Sequence, residues 1–264
     1  MHKITVNGAS IAYDEAGTGS PVVLLHAGIA DRRMWRGQLS ALAARHRVIV
    51  PDLRGYGDSE LPPTPFAHRR RGRAAGRTRP ASGRPGWLLL RRSGRHRHRA
   101  GPPDRVSALA LFDTAVSGNE WSDEANDLWD DLVGEVDPDD FLAGAAGEVR
   151  FWVVGPGRQP ADVDPELIAF AQEMDRRALA AELALGAVEV GELTPPAIGR
   201  LGELTVPVLV TAGAADVPDI SRLADRIAAE VPGAVRLPDV PNAAHLLPLE
   251  RPEPVNAALL DFLS

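Results

Sequence analysis

Apolar positions along the chain follow two rhythms. Pro21-Val22-Val23-Leu24-Leu25, Val48-Ile49-Val50, Val106 to Phe112, Val206 to Val210 and Ala234 to Leu237 are short runs of strand length. They show little polar alternation, which predicts strands buried on both faces. Between them the period becomes helical. Met34 to Ala44 places Trp35, Leu39 and Leu42 on one face, and a last helix carries Val255, Leu259, Leu260 and Leu263. The start differs: Lys3–Val6 and Ser10–Tyr13 flank Asn7-Gly8, a hairpin signal. Strands alternating with helices predict an α/β class with a mostly parallel sheet flanked by helices. No internal repeat is visible.

Two stretches interrupt this order. Residues 119–195 are acidic and helical in period, with Trp121, Leu128, Trp129, Leu132, Phe141, Phe151 and Trp152 as expected anchors. They read as a helical insertion after the strand ending at Phe112, which leaves 1–118 and 196–264 as the core. Residues 69–103 have no period beyond Trp87-Leu88-Leu89-Leu90. That stretch lies where an α/β sheet should place its central strand and the following helix.

Charge sharpens the oddity. The chain has 264 residues, 29 Lys+Arg against 36 Asp+Glu, and a formal charge of −7. Twelve of the Arg fall between Ala67 and Pro103, where no acidic residue occurs; without them 17 basic and 36 acidic residues remain, or −19. Twelve like charges repel one another, so the segment is aberrant beside an acidic protein. At 44% hydrophobic the chain can bury a core, and its length suits one large domain or a domain with an insertion. The absence of Cys excludes disulfides, thiolate nucleophiles and Cys-based metal sites. No apolar run reaches the 18 or so residues a membrane span needs. The start, Met1-His2-Lys3-Ile4, lacks the apolar core of a signal peptide, so the cytoplasm is the expected compartment.

Candidate chemistry sits at the strand ends. Leu24-Leu25-His26-Ala27-Gly28 closes the first buried run, with Trp35 nine residues after the His. Asp52-Leu53-Arg54-Gly55-Tyr56-Gly57-Asp58-Ser59 follows the second, and Pro241-Asn242-Ala243-Ala244-His245 precedes the last helices. This combination resembles the α/β-hydrolase family over residues 1–66 and 104–264. The resemblance implies the α/β-hydrolase fold with a helical cap over 119–195. It assigns Gly28 a backbone N–H in the oxyanion hole, where preset donors are worth about 3 kcal/mol each. It makes His245 the general base and puts the orienting acid on the loop Ala212-Gly213-Ala214-Ala215-Asp216, with Asp216 preferred. Asp113, after the preceding strand, is the other candidate acid. Asp219 is expected as a surface charge at a helix start, and the alternative reading of Asp216 is a helix cap.

The family's nucleophile motif, G-x-S-x-G on a strained turn, is absent. Gly8-Ala9-Ser10-Ile11-Ala12 lies in the hairpin, and Ser93 lacks the preceding Gly a sharp elbow needs. Lys occurs once and Arg 28 times, as in a GC-rich gene favouring CGN codons. Shifting the frame by one base makes Trp87 (TGG before C) Gly, and turns Leu88, Leu89 and Leu90 into TNC codons for Phe, Ser, Tyr or Cys. Arg91 and Arg92 can then both be Gly, so the shifted frame permits G-x-S-x-G-G in place. Upstream, Arg70 to Pro80 can become D-V-A-A-L-L-D-A-L-G-L, an amphipathic helix. Near Pro102-Pro103 the frame recovers into Asp104-Arg105-Val106. A compensated frameshift explains the segment, and because TNC cannot encode Asp it favours an ancestral Ser over an Asp nucleophile.

The function expected is therefore hydrolysis of a small-molecule ester or lactone in the intact lineage, with this chain impaired. A non-catalytic ligand-binding scaffold of the same fold is the alternative. No cofactor and no metal are implied, and no membrane partner. Nucleic acid is disfavoured as a partner: aromatic interleaving in the basic stretch is limited to Trp87, and the acidic remainder repels a polyanion. The oligomeric state is left open.

Overall fold

A computed structural model describes residues 1–60, 106–134, 140–184 and 195–264. The Arg-rich segment 69–103, Ser93 within it, and part of the stretch 119–195 lie outside the described residues.

The hairpin forms as the sequence predicts. β1 (His2–Val6) and β2 (Ala9–Ala16) pair antiparallel across Asn7 and Gly8, which have φ of 47° and 79°. Two consecutive left-handed residues are what a two-residue turn matched to strand twist requires, and Asn-Gly supplies them at little steric cost. β2 then pairs antiparallel with β4 (His46–Pro51), and β4 pairs parallel with β3 (Ser20–Val23). β5 (Leu109–Phe112), β6 (Val208–Thr211) and β7 (Val235–Arg236) form a second sheet, entirely parallel. The described strands thus form a four-stranded mixed sheet, ordered β1-β2-β4-β3, and a three-stranded parallel one. The hairpin accounts for both antiparallel pairings.

Burial follows the predicted rhythm in β5 and β6 but not in β7, where Val235 is exposed at the sheet edge, nor fully in β3, where only Val22 is buried. All four residues of β5 and all four of β6 are buried, whereas β4 alternates. The helix predicted from Met34 begins instead as a 3-10 turn, Arg32–Trp35, capped by the Asp31 side chain on the Arg33 N–H, and continues as α1 (Arg36–Ala43). In the region expected to be a helical insertion, α2 (Asp123–Leu132), α3 (Phe141–Val149) and α4 (Pro165–Ala184) form, with a π-type turn at Arg150–Val154. α5 (Pro218–Glu230) follows β6; α6 (Leu247–Glu250) and α7 (Pro252–Phe262) end the chain.

One apolar cluster joins the sheets to these helices. Val22, Val48, Phe112 and Leu209 from the strands share it with Trp129, Phe151, Trp152, Ala171 and Met174. The helical segment therefore packs on the core with its own apolar face. Ionic contacts reinforce the seam: Arg33 pairs with Glu173 at 2.7 Å, and Arg177 reaches the Gly57 carbonyl and Asp58, both at 3.1 Å. Among the described residues no helix is long and apolar enough to cross a membrane.

Candidate active site

The loop after β6 is stitched to the segment before α6. The N–H groups of Ala214 and Ala215 donate to the carbonyls of Val240 (2.9 Å) and Ala243 (2.8 Å), and the Val240 N–H donates to Ala212 (2.8 Å). Gly213 makes this approach possible, since a Cβ there would lie 2.4 Å from the Ala243 carbonyl oxygen. Asn242 turns the chain with φ of 55°. These backbone contacts bring Asp216 and His245, 29 residues apart, together.

Nδ1 of His245 lies 2.8 Å from Oδ2 of Asp216, with both residues buried. Against a carboxylate acceptor Nδ1 is the donor, which fixes the tautomer and leaves Nε2 as the basic nitrogen. The other Asp216 oxygen accepts the Val217 N–H at 2.8 Å. Burial pushes the Asp216 carboxyl above its ordinary range, while His245 and the Val217 N–H act in the opposite direction. Asp216 is thus more than a helix cap.

Asp113, the other candidate acid, is placed differently. Its Oδ1 accepts the Gly213 N–H at 2.6 Å and its Oδ2 the Leu247 N–H at 3.2 Å. It braces the acid loop against the start of α6 from a backbone with φ of 49°. Burial, then the charge of Asp216, pushes its carboxyl well above the ordinary range. Asp219, expected at the surface, is at the helix start as predicted but buried. It accepts the Ser122 N–H at 2.8 Å and the Ser122 hydroxyl at 2.9 Å, which anchors the chain entering α2.

Gly28 lies in the turn after β3 rather than at the strand end, because the strand stops at Val23. The loop is well braced. His26 Nε2 accepts the Leu53 N–H at 2.9 Å, so its Nδ1 carries the proton that meets the Ala27 carbonyl at 2.8 Å. Ala27 and Ile29 share the apolar cluster with Leu246 and Leu247, which flank the His245 loop.

The D-x-R-G-x-G-x-S motif proves to be a loop clamp. Buried Asp52 accepts the Arg32 N–H and the Asp58 N–H, both at 2.8 Å, and pairs with the Arg32 guanidinium. Gly57 must be Gly: a Cβ would sit 2.2 Å from the Asp52 carboxylate. The Ser59 hydroxyl donates to the Asp52 carbonyl and accepts the Ala12 N–H, both at 2.9 Å.

Three residues at the site had no clear signal in the sequence. Trp152 reads there only as an apolar anchor, yet its ring centroid lies 4.3 Å from that of His245. Arg158 and Glu250 pair at 2.5 Å, and Glu250 also accepts the Ala244 N–H at 2.9 Å. A lone Arg in a Gly- and Pro-rich stretch carries no periodic cue. Among the described residues no group of three or more His, Asp or Glu is arranged to hold a metal ion.

Comparison with known proteins bears on the fold. A family model described as the alpha/beta hydrolase fold matches residues 20–77. The soluble epoxide hydrolase of Corynebacterium sp. (strain C12) is 47% identical over 68 residues, 26% of this chain and 24% of that protein. The chain matches about a quarter of the length of such curated relatives. Solved structures align over nearly the whole chain. An esterase from Thermogutta terrifontis matches with a TM-score of 0.61 and 21% identity, over 100% of this chain and 98% of that one. The enol-lactonase from Burkholderia xenovorans LB400 matches with a TM-score of 0.63 and 20% identity, over 99% of each chain. The chain is an α/β-hydrolase-fold protein. The sequence matches include several epoxide hydrolases, and the structural matches include an esterase and an enol-lactonase.

Proposed function

We propose that this chain derives from a hydrolase of small-molecule esters or lactones that works by Ser-His-Asp acyl transfer, and that it is itself impaired. The observation that carries the reading is the buried 2.8 Å contact between His245 Nδ1 and Asp216 Oδ2, on consecutive loops in the order acid then base. In the intact enzyme a Ser hydroxyl attacks the carbonyl and Nε2 of His245 takes its proton. Asp216 holds the imidazole tautomer and stabilises the imidazolium. The Gly28 N–H and the N–H after the nucleophile receive the oxyanion. His245 then returns the proton to the leaving alkoxide, and water repeats the cycle on the acyl-enzyme. The helical segment 119–195 acts as the cap that selects the substrate. The esterase and enol-lactonase among the structural relatives support this chemistry.

The sequence as it stands has no G-x-S-x-G for the pair to activate. Loss of the nucleophile leaves at most about 10³–10⁴-fold catalysis over water. The family match ends at residue 77, inside the basic stretch.

A second reading follows from the 47% identity to an epoxide hydrolase. There an Asp would open the epoxide, and His245 with Asp216 would activate the hydrolytic water. The shifted frame encodes no Asp at the elbow, which favours the ester or lactone. The test is a chain with residues 69–103 translated in the shifted frame, assayed on aryl esters, lactones and epoxides. Ester or lactone turnover abolished by His245→Gln supports the proposal; epoxide turnover alone establishes the second reading; ligand-induced stabilisation without turnover points to a binding scaffold.

A further inference from the structure

We propose that Trp152 is a positioning residue for His245, through which the helical segment holds the imidazole against Asp216. The proposal rests on the reading of His245 as the general base. Trp152 meets that residue twice. Its carbonyl accepts the His245 N–H at 3.0 Å, and its ring lies 4.3 Å from the imidazole at 42°. Residue 245 is thus held at its backbone and on one ring face by the same residue, while Asp216 holds the ring edge.

The neighbourhood keeps Trp152 where it is. It sits in the π-type turn Arg150–Val154, a wide turn of the kind that recurs at functional sites. Phe151 packs edge-on at 4.6 Å, and Trp121 at 5.8 Å. Arg158 then ties both strands of the contact together. It donates to the Val153 and Val154 carbonyls (2.7 and 2.9 Å), directly after Trp152, and pairs with Glu250, which accepts the Ala244 N–H directly before His245. The turn ends at Gly155, with φ of 78°, where a Cβ would lie 1.9 Å from the Ala215 carbonyl oxygen, one residue before Asp216. The π-turn is therefore in register with both members of the pair.

An imidazole held at one edge can still swing about its side-chain torsions. An aromatic face removes that freedom and keeps water off the Nδ1–H···Oδ2 bond. An aromatic pair of this kind is worth up to about tenfold in an equilibrium.

The test uses the 264-residue chain and needs no turnover. The low-field proton resonance of His245 Nδ1–H is assigned by its loss in His245→Gln, and the carbethoxylation rate of His245 is measured well below the unfolding temperature. Trp152→Phe is expected to keep the resonance and the wild-type rate within about twofold. Trp152→Ala, and Trp152→Leu, which refills the volume without an aromatic face, should lose the resonance to solvent exchange and react up to about tenfold faster. Trp152→Leu with a native far-ultraviolet spectrum, an intact resonance and unchanged reactivity would overturn the proposal. Asp216→Asn separates the two claims: a resonance that survives it contradicts the His–Asp reading itself, whatever Trp152 does.

Discussion

Asp113 and Asp216 follow neighbouring parallel strands, both buried, and Asp216 is the one that meets the imidazole. The physical distinction is what each carboxylate accepts: Asp113 is saturated by two backbone N–H groups, while Asp216 spends one oxygen on Val217 and has the other for His245. This carries a pH consequence. Asp113 keeps its proton to higher pH folded than unfolded, so the stability due to its neutral form is complete below the ordinary carboxylate range. It is lost as pH rises through the raised folded value. Asn cannot titrate, so the stability of wild type relative to Asp113→Asn should fall as pH rises out of that range, by at most about 1.4 kcal/mol per pH unit. Urea titrations at a series of pH values check this, and a difference that stays flat or rises contradicts it. Gly155 offers a steric counterpart. Gly155→Ala combines positive φ with the Ala215 clash and should cost about 1–3 kcal/mol, whereas Gly157→Ala, with open space around it, should be near neutral. The sequence names Asp216, His245 and Gly28 through motif order. The preference for Asp216 over Asp113 comes from the resemblance alone, because both follow buried strands and their partners come from distant backbone.

At the scale of elements, ion pairs are of unequal worth: one crosses the seam between the helical segment and the core, another lies at the surface within a single 3-10 turn. Arg158 and Glu250 are 11% and 8% exposed, while Arg200 and Glu203 are 48% and 61% exposed. Removing Glu250 strands a buried guanidinium and the Ala244 N–H, so Glu250→Ala should cost about 3–5 kcal/mol. Glu203→Ala should stay within about 0.5 kcal/mol. Equal losses in chemical denaturation would refute this ranking. The elements themselves are largely legible. Apolar runs locate β3 to β7 within a few residues, and Asn7-Gly8 locates the hairpin. What the pattern does not show is where each run ends. The apolar run carries the strand to His26, yet β3 stops at Val23: Leu24 still donates to Ile49 of β4, but His26 and Ala27 bond the Asp52 loop and Met34 instead. The π-type turn is likewise invisible to a 3.6-residue period, since Arg150–Val154 departs from it at the very residues that reach His245.

For the molecule as a whole, the sheet order leaves β3 and β5 each with one strand neighbour among the described residues. The Arg-rich segment falls between those two strands in the sequence, where the fold calls for a central strand, its elbow and a buried helix. Twelve like charges in sequence disfavour an apolar strand and helix, and such a loss would take up much of a stability margin of about 5–15 kcal/mol. The chain should therefore be marginally stable, folded at low temperature but aggregating on heating, with no cooperative thermal transition above about 60 °C; calorimetry showing one contradicts this. The charge pattern makes the segment conspicuous, and the motifs on either side are what the frameshift proposal rests on. The account turns on what that segment encodes in the alternative frame. The nucleotide sequence across codons 66–106 tests it most directly: shifted by one base, codons 87 to 91 should read Gly-x-Ser-x-Gly within an uninterrupted frame, and a stop, or any residue but Ser at the central codon, would contradict it.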